Sequence, residues 1–377
     1  MNIDAADRVR MTRALALAAE SIGLSDPNPR VGCVIAAANG TMAAEGFTQH
    51  AGGPHAEAVA LAQAASARVD LRGGTAWVTL EPCAHQGRTP PCCDALVAAG
   101  LARVVVATGD PFPRVAGVGM HRLRAAGIVV DKIAADDELA LAAREINVGF
   151  FSRLERGRPW VRLKVAMSLD GRTALENGVS QWITGEQARI DTHRWRKRAS
   201  AILTGIGTAL HDRPRLDVRH VPTAVQPLRV VADSRCRTPL DAPILAGPGT
   251  CLIATACGSK KHIQALRSAH ADVVECGATD GRVDLNALLG LLAAREANEV
   301  HVEAGSALNG ALLAGGLVDE LLVYLAPRLL GPGRNVAELR RIDTLSDGLN
   351  FAWTECKSVG DDLRLRAFLP QTPKRAL

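Results

Sequence analysis

The chain has 377 residues, enough for two domains rather than one core. Its net charge of +5 is mild and only 3% of its residues are aromatic, so it offers neither a basic stripe nor a stacking platform for nucleic acid. Nine cysteines in an odd, dispersed set argue against a disulfide framework. With no basic-then-apolar leader and no apolar run long enough to span a bilayer, they predict a cytoplasmic protein without a membrane partner.

Residues 6–22 are Ala-rich with apolar positions at helical spacing, which predicts a helix stopped by Asp26-Pro27-Asn28-Pro29. A strand over 31–37, a turn at Asn39-Gly40 and a returning strand over 41–47 form a hairpin. Gly52-Gly53-Pro54 leads into a helix beginning near His55. A strand over 75–80 delivers Glu81-Pro82-Cys83, and Pro90-Pro91 precedes a helix over 92–99. A strand at 103–107, a helix near 119–126, a strand at 128–131 and a helix over 135–149 complete an α/β domain at 1–150. The polar segment ending in Pro159 reads as a linker over 151–159. A second α/β pattern opens at Trp160. Its strands are expected at 200–204, 228–232, 250–255, 272–275, 298–302 and 319–325, and its helices at 186–198, 259–269, 284–294 and 306–314. This domain runs over 160–369, and 370–377 is a polar tail.

His55-Ala56-Glu57, followed by Pro82-Cys83 and then Cys92, carries the chemistry of the first half. One imidazole and two thiolates hold a zinc ion at three corners of a tetrahedron and leave the fourth to water, the arrangement of a catalytic rather than a structural zinc. Residues two apart on an ideal helix point about 200° away from each other. His55 and Glu57 therefore share one site only if His55 stands at the helix entry. Cys92 opens a helix, whose N-terminus favours a thiolate. Glu57 is the proton carrier for hydrolytic deamination. Cys93 and His85 are the alternatives for a fourth protein ligand, which would make the zinc structural.

Eight residues separate Cys83 from Cys92, where many zinc deaminases have two. That loop resembles the deaminase half of the bifunctional pyrimidine deaminase/reductase of riboflavin biosynthesis. So do Pro27-Asn28-Pro29 with Val31-Gly32 upstream, and Asp110-Pro111 with Val115-Ala116-Gly117 downstream. The resemblance implies that Asn28, His85 and Arg88 help to read the pyrimidine and its ribose phosphate. This chain departs from the family at Thr48, Phe112 and Val118, where the family commonly has His, Asn and a basic residue.

Lys164 to Thr173, Ser180 to Gly185 and Ala201 to Thr208 with Asp212 resemble the reductase half of the same family, so the resemblance runs to about residue 367. The implied fold is a cytidine-deaminase-like α/β/α layered domain followed by a dihydrofolate-reductase-like α/β domain. Glycines in Gly205-Ile206-Gly207-Thr208 and in the turn from Glu303 through Gly305 permit close backbone approach to a phosphate. Carried over by position, the family pattern implies NADPH contacts at Ala166, Trp182, Thr208, Asp212, Ser234 and Gly305. It implies substrate contacts at Lys164, Ser180, Arg196, Leu216, Arg219 and Glu303. Arg196 and Arg219 suit clamps for a ribose phosphate, and Asp233-Ser234-Arg235 could receive the extra phosphate of NADP. Arg213 and Val179 depart from the family, which commonly has an acidic or amide residue and Glu at those positions.

The implied activity is deamination of 2,5-diamino-6-(5-phosphoribosylamino)pyrimidin-4(3H)-one on Zn2+, then NADPH-dependent reduction of the ribosyl to a ribityl group, in a homo-oligomer. The rivals are a nucleic-acid base deaminase fused to an unrelated reductase, and a zinc-stabilised scaffold without catalysis. Scarce aromatics oppose the first, and Glu57 opposes the second because a structural zinc has no use for it.

Overall fold

The computed structural model describes residues 3–84, 90–112 and 116–369. It divides into two compact units that meet between Gly157 and Arg158.

The first unit runs α1 (Ala5–Glu20), β1 (Gly32–Ala36), β2 (Met42–Phe47), α2 (Ala56–Ser66), β3 (Thr75–Val78), α3 (Cys92–Ala98), β4 (Arg103–Val106), α4 (Val118–Ala125), β5 (Val129–Lys132), α5 (Glu138–Ile146) and α6 (Val148–Arg156). Asp4 and Asp7 form a reciprocal capping box at the start of α1. Five strands lie in the order β2-β1-β3-β4-β5. β1 is antiparallel to both neighbours, and β3, β4 and β5 are parallel. Alternate side chains of each strand leave on opposite faces. Cys33 and Ile35 join one apolar core with α2, α3 and α4, while Val34 and Ala36 join another with α1 and α5. Both faces are covered, giving an α/β/α sandwich.

The single helix expected over 135–149 is two, broken at Asn147. The Asn147 side chain accepts from Arg30 N–H at 2.7 Å and donates to the Arg30 carbonyl at 2.8 Å, which draws it out of the helical pattern. The linker expected over 151–159 is helical through Arg156. Phe150 and Phe151 are buried against the sheet, so apolar anchoring overrides the polar composition.

The second unit runs β6 (Trp160–Ser168), β7 (Arg172–Leu175), α7 (Glu186–Arg198), β8 (Ala201–Gly205), α8 (Ile206–His211), β9 (Leu228–Ala232), α9 (Pro243–Ala246), β10 (Cys251–Thr255) and α10 (Lys260–Ser268). It continues with β11 (Ala271–Glu275), β12 (Ala278–Thr279), β13 (Arg282–Val283), α11 (Leu285–Ala294), β14 (Glu299–Val302), α12 (Ser306–Ala314), β15 (Glu320–Ala326), β16 (Gly333–Asn335), β17 (Ala352–Val359) and β18 (Asp362–Phe368). Nine strands form one sheet in the order β11-β10-β9-β8-β14-β6-β15-β18-β17. It is parallel from β11 to β15 and antiparallel at β18 and β17. Strands β8 and β10 are apolar on both faces, as a covered parallel sheet requires, whereas β14 and β6 turn the buried Glu299, His301 and Arg162 to one face. Cleft residues stand at the ends of these strands, where α/β sheets bind ligands. The closing hairpin β17–β18 is absent from the sequence reading because its charged side chains hide the alternation: β17 is exposed along nearly its whole length. The expected tail at 370–377 lies outside the described residues.

Candidate active sites

His55 is the N-cap of α2, with extended backbone (φ −74°, ψ 166°), so its ring departs from the helical wheel that carries Glu57. The helix rests directly on β2: a Cβ built on Gly46 would stand 2.2 Å from the Ala56 carbonyl and 2.7 Å from the Ala60 nitrogen. Past the end of β3 the chain stays between its neighbours through Thr79 N–H to the Gly32 carbonyl and Glu81 N–H to the Thr108 carbonyl, and then turns out at Cys83. Cys92 is the first residue of α3, and its N–H donates to Cys83 Sγ at 3.3 Å.

These elements bring His55 Nδ1 to 3.6 Å from Cys83 Sγ and 3.3 Å from Cys92 Sγ. The three donor atoms lie within 4.8 Å of one another, and two sulfurs with one imidazole nitrogen suit zinc. Left to themselves the two thiols divide one proton. The Cys92 thiol bonds to Cys83 and holds it down to about 4, while Cys92 is pushed far up. A dication removes that division by holding both as thiolates. Cys93 is no ligand: its thiol donates to the Pro82 and Gly119 carbonyls, away from the cluster. Glu57 is buried, and its carboxyl is raised by loss of solvent first and by Cys83 second.

Glu81, which the sequence reading passed over, organises the floor beside this cluster. Its carboxylate accepts from Gly117 N–H at 3.0 Å, Met120 N–H at 3.2 Å and Asp110 N–H at 3.4 Å. A charged residue inside the apolar run Thr79-Leu80-Glu81-Pro82 was the available signal, because a buried charge needs partners. Asp110 is pushed up to about 6, chiefly by burial, with Glu81 and Cys83 adding to the rise. Asn28 is half-buried in the turn after α1. Thr48 is buried, its hydroxyl accepting from Val31 N–H at 3.1 Å. His85 and Arg88 lie outside the described residues.

In the second unit a cleft of about 1090 Å³ takes in the cofactor and substrate positions that the family pattern implies: Lys164, Ala166, Ser180, Trp182, Arg196, Thr208, Asp212, Leu216, Arg219, Ser234, Glu303 and Gly305. Gly305 caps α12 and, having no side chain, leaves the first-turn amides without a cap bond of its own. A Cβ there would meet only Thr208 Oγ1, at 3.8 Å, and one on Gly207 would meet nothing within 4 Å. The cleft floor is open where the phosphates of a dinucleotide need backbone N–H groups, so the residues present fit NADPH.

Arg196 and Asp233 have partners that the sequence did not show. Arg196 forms a two-pronged pair with Glu303 (Nε–Oε1 2.5 Å, Nη2–Oε2 2.9 Å) and donates its remaining nitrogen to the Asp217 carbonyl at 3.0 Å. Its guanidinium keeps one N–H on each Nη beyond these three bonds. Asp233 is fully buried and caps Thr238 through its N–H and hydroxyl, so of Asp233-Ser234-Arg235 only the last two line the cleft. Burial alone would raise the Glu303 carboxyl, but Arg196 outweighs it and holds Glu303 well below its ordinary value. Burial lowers the Lys164 amine, with Glu303 opposing.

Two family models match. Residues 5–108 match the cytidine and deoxycytidylate deaminase zinc-binding region, and 159–365 match the RibD C-terminal domain. The riboflavin biosynthesis protein RibD of Escherichia coli K12 is 43% identical, covering 95% of this chain and 98% of its own. RibD of Aquifex aeolicus is 37% identical, with 95% and 97% covered. Among solved structures, Acinetobacter baumannii RibD superposes with a TM-score of 0.87 at 40% identity, covering 97% of this chain and 99% of its own. The Thermotoga maritima diaminohydroxyphosphoribosylaminopyrimidine deaminase/5-amino-6-(5-phosphoribosylamino)uracil reductase superposes at 0.85 and 30% identity, with 97% and 99% covered. Both halves occur together in these relatives, which sets aside an unrelated reductase.

Proposed function

The chain belongs to the RibD family of riboflavin biosynthesis, and from that premise we propose which of its residues carry each step. It is a bifunctional enzyme with a zinc-dependent deaminase half and an NADPH-dependent reductase half, acting on a small molecule. We assign it the substrates named for the Thermotoga protein: the phosphoribosylated diaminopyrimidine for deamination, then the resulting aminouracil for reduction.

His55, Cys83 and Cys92 would hold the zinc. Bound there, the ion supplies the acidity that makes a nucleophile of water near neutral pH. Glu57 takes a proton from that water as it adds to the amino-bearing ring carbon. It returns the proton to the neighbouring ring nitrogen and carries another to the departing ammonia. Burial suits it to this work, because a raised carboxyl accepts protons more readily. Asn28, His85 and Arg88 are assigned to substrate.

In the second half NADPH, once bound, would supply the hydride that reduces C1′ of the open-chain ribosyl group, and a proton on the nitrogen would complete the ribitylamino group. Lys164 is the proton source on this reading: burial lowers its pKa and makes its ammonium a better acid. Glu303, ionised by Arg196, opposes that fall and favours the charged form of Lys164. Ala166, Trp182, Thr208, Asp212, Ser234 and Gly305 are assigned to NADPH, and Ser180, Arg196, Leu216, Arg219 and Glu303 to the substrate wall.

The chain is also assigned to the cytoplasm and to a homo-oligomer that binds neither nucleic acid nor membrane. All nine cysteines are free thiols, which suits a reducing compartment. Among the described residues no helix is long and apolar enough to cross a membrane. Self-association is supported by the exposed Trp353 on the edge strand β17.

The observation that carries this reading is the meeting of three donor atoms beside a buried carboxylate. Purified protein given the diaminopyrimidine should release ammonia without NADPH, and should oxidise NADPH only once that product has formed. NADPH oxidation that precedes ammonia release would reverse the assigned order.

A further inference from the structure

His301 is a titratable group buried behind the reductase cleft. It lies on β14, between Ile202 of β8 and Arg162 of β6, and is wholly shielded from solvent. Alternate residues of a strand share a face. The ladder continues past β14 through Glu303 N–H to the Leu203 carbonyl, so Glu299, His301 and Glu303 leave on one side and Val300 and Val302 on the other. That sets an imidazole behind a carboxylate of the cleft wall, with His301 Nε2 at 3.4 Å from Glu303 Oε1.

Neither ring nitrogen of His301 has a formed hydrogen bond among the described residues. A buried polar ring in that state costs stability against an apolar side chain of similar size. Packing therefore gives no reason for an imidazole here, and Glu303 does. Burial first, and the charges of Arg162 and Arg196 after it, hold His301 below its ordinary value against the pull of Glu303, so the ring is neutral and carries one N–H. A carboxylate opposite Nε2 keeps that proton on Nε2. At 3.4 Å the donor stands just beyond a full bond, and catalytic hydrogen bonds commonly tighten into range as the reacting complex forms. Arg196 already grips both Glu303 oxygens from α7. Burial raises the Glu303 carboxyl, but Arg196 outweighs it and His301 adds to the fall.

We propose that His301 is a positioning residue of the reductase: its Nε2–H braces the Glu303 carboxylate from the strand side, opposite the grip of Arg196, so that Glu303 meets Lys164 in one orientation. His301 is not among the residues that line the cleft and acts only through Glu303. The proposal rests on reading Glu303 and Lys164 as reductase residues. It predicts that stability and rate move in opposite directions when the imidazole is replaced by an apolar group.

His301→Gln and His301→Met form the testing pair, because the two side chains match in length and differ at the tip, where Gln has an N–H and Met a methyl group. The full chain is given the aminouracil that its deaminase half would produce, and NADPH oxidation is followed beside thermal melting. Unaltered protein that oxidises no NADPH overturns the reading of the cleft, and the proposal with it. In active protein His301→Met should lower the reductase kcat about 10-fold, the scale of a lost hydrogen bond to a charged group, and leave KM for NADPH within about twofold. Its ammonia release should not change, and it should melt at the unaltered temperature or above. His301→Gln should return kcat to within about twofold of the unaltered value while melting no higher than His301→Met. Equal kcat in the two variants, whether fast or slow, overturns the positioning role. A His301→Met protein whose rate falls only in step with its melting temperature makes His301 structural and overturns it too.

Discussion

His55, Cys83 and Cys92 come from one short stretch, and their donor atoms alone specify what they bind. The reductase cleft draws its wall from Lys164 through Glu338, and no residue in it has a role that its identity fixes. Arg196 looks like an anion clamp in the sequence and is a counterion to Glu303 in the fold. The contrast separates two kinds of site. A metal centre is defined by atoms that have few other uses at that spacing, whereas a cofactor cleft is defined by shape and by which charges its residues have already neutralised for one another.

Breaking the first site should have the largest effect. Cys83→Ser removes a thiolate ligand; the protein should lose zinc on dialysis, read by metal analysis, and ammonia release should fall to background. Glu57→Gln should keep its zinc and lower ammonia release by about 10²–10⁴-fold. Retention of both zinc and full rate would remove Glu57 from the proton path.

The cleft should fail more gradually, and through stability as well as rate. Glu303→Gln leaves the buried Arg196 charge without its partner, at a cost of about 3–5 kcal/mol seen in thermal melting, together with slower NADPH oxidation. Acid should act on the same unit. Burial raises Glu320, but Arg162 and Arg366 outweigh it and bring it down to about 2. A carboxyl depressed on folding contributes stability above its unfolded value near 4.5, and that contribution disappears as pH falls toward 2. Acid titration followed by the tryptophans Trp160 and Trp195, which contact Glu320 and its partner Arg162, should show this loss. The smallest effect concerns Lys164: if its ammonium gives the proton, reductase rate should decline with rising pH before the ordinary lysine value of 10.5 is reached. A flat profile over that range would assign the proton to another donor.

The difference between the two sites also explains what could be read in advance. The strand and helix order of the first unit follows from alternation and from Pro-Gly punctuation, and His55 at a helix entry followed from geometry alone. What escaped notice depended on partners far away in the chain. Asn147 divides a helix because Arg30 lies opposite it. Phe150 and Phe151 turn an apparent linker into packed helix. Glu81 bonds amides that come after β4. β18 carries Arg364 and Arg366 toward Asp191, Glu320 and Glu355, so the arginines that hide its alternation are its internal ties.

Gly46 makes the metal centre vulnerable from a distance. It is not itself a ligand, yet α2 lies so close above it that even a methyl group would have to lift the first turn of that helix. His55 and Glu57 ride on that turn, so Gly46→Ala would move imidazole and carboxylate together and detune the deaminase without altering one atom of its inner sphere. The tolerance of this catalyst to change is therefore set partly in the sheet beneath it, at a position where only hydrogen fits.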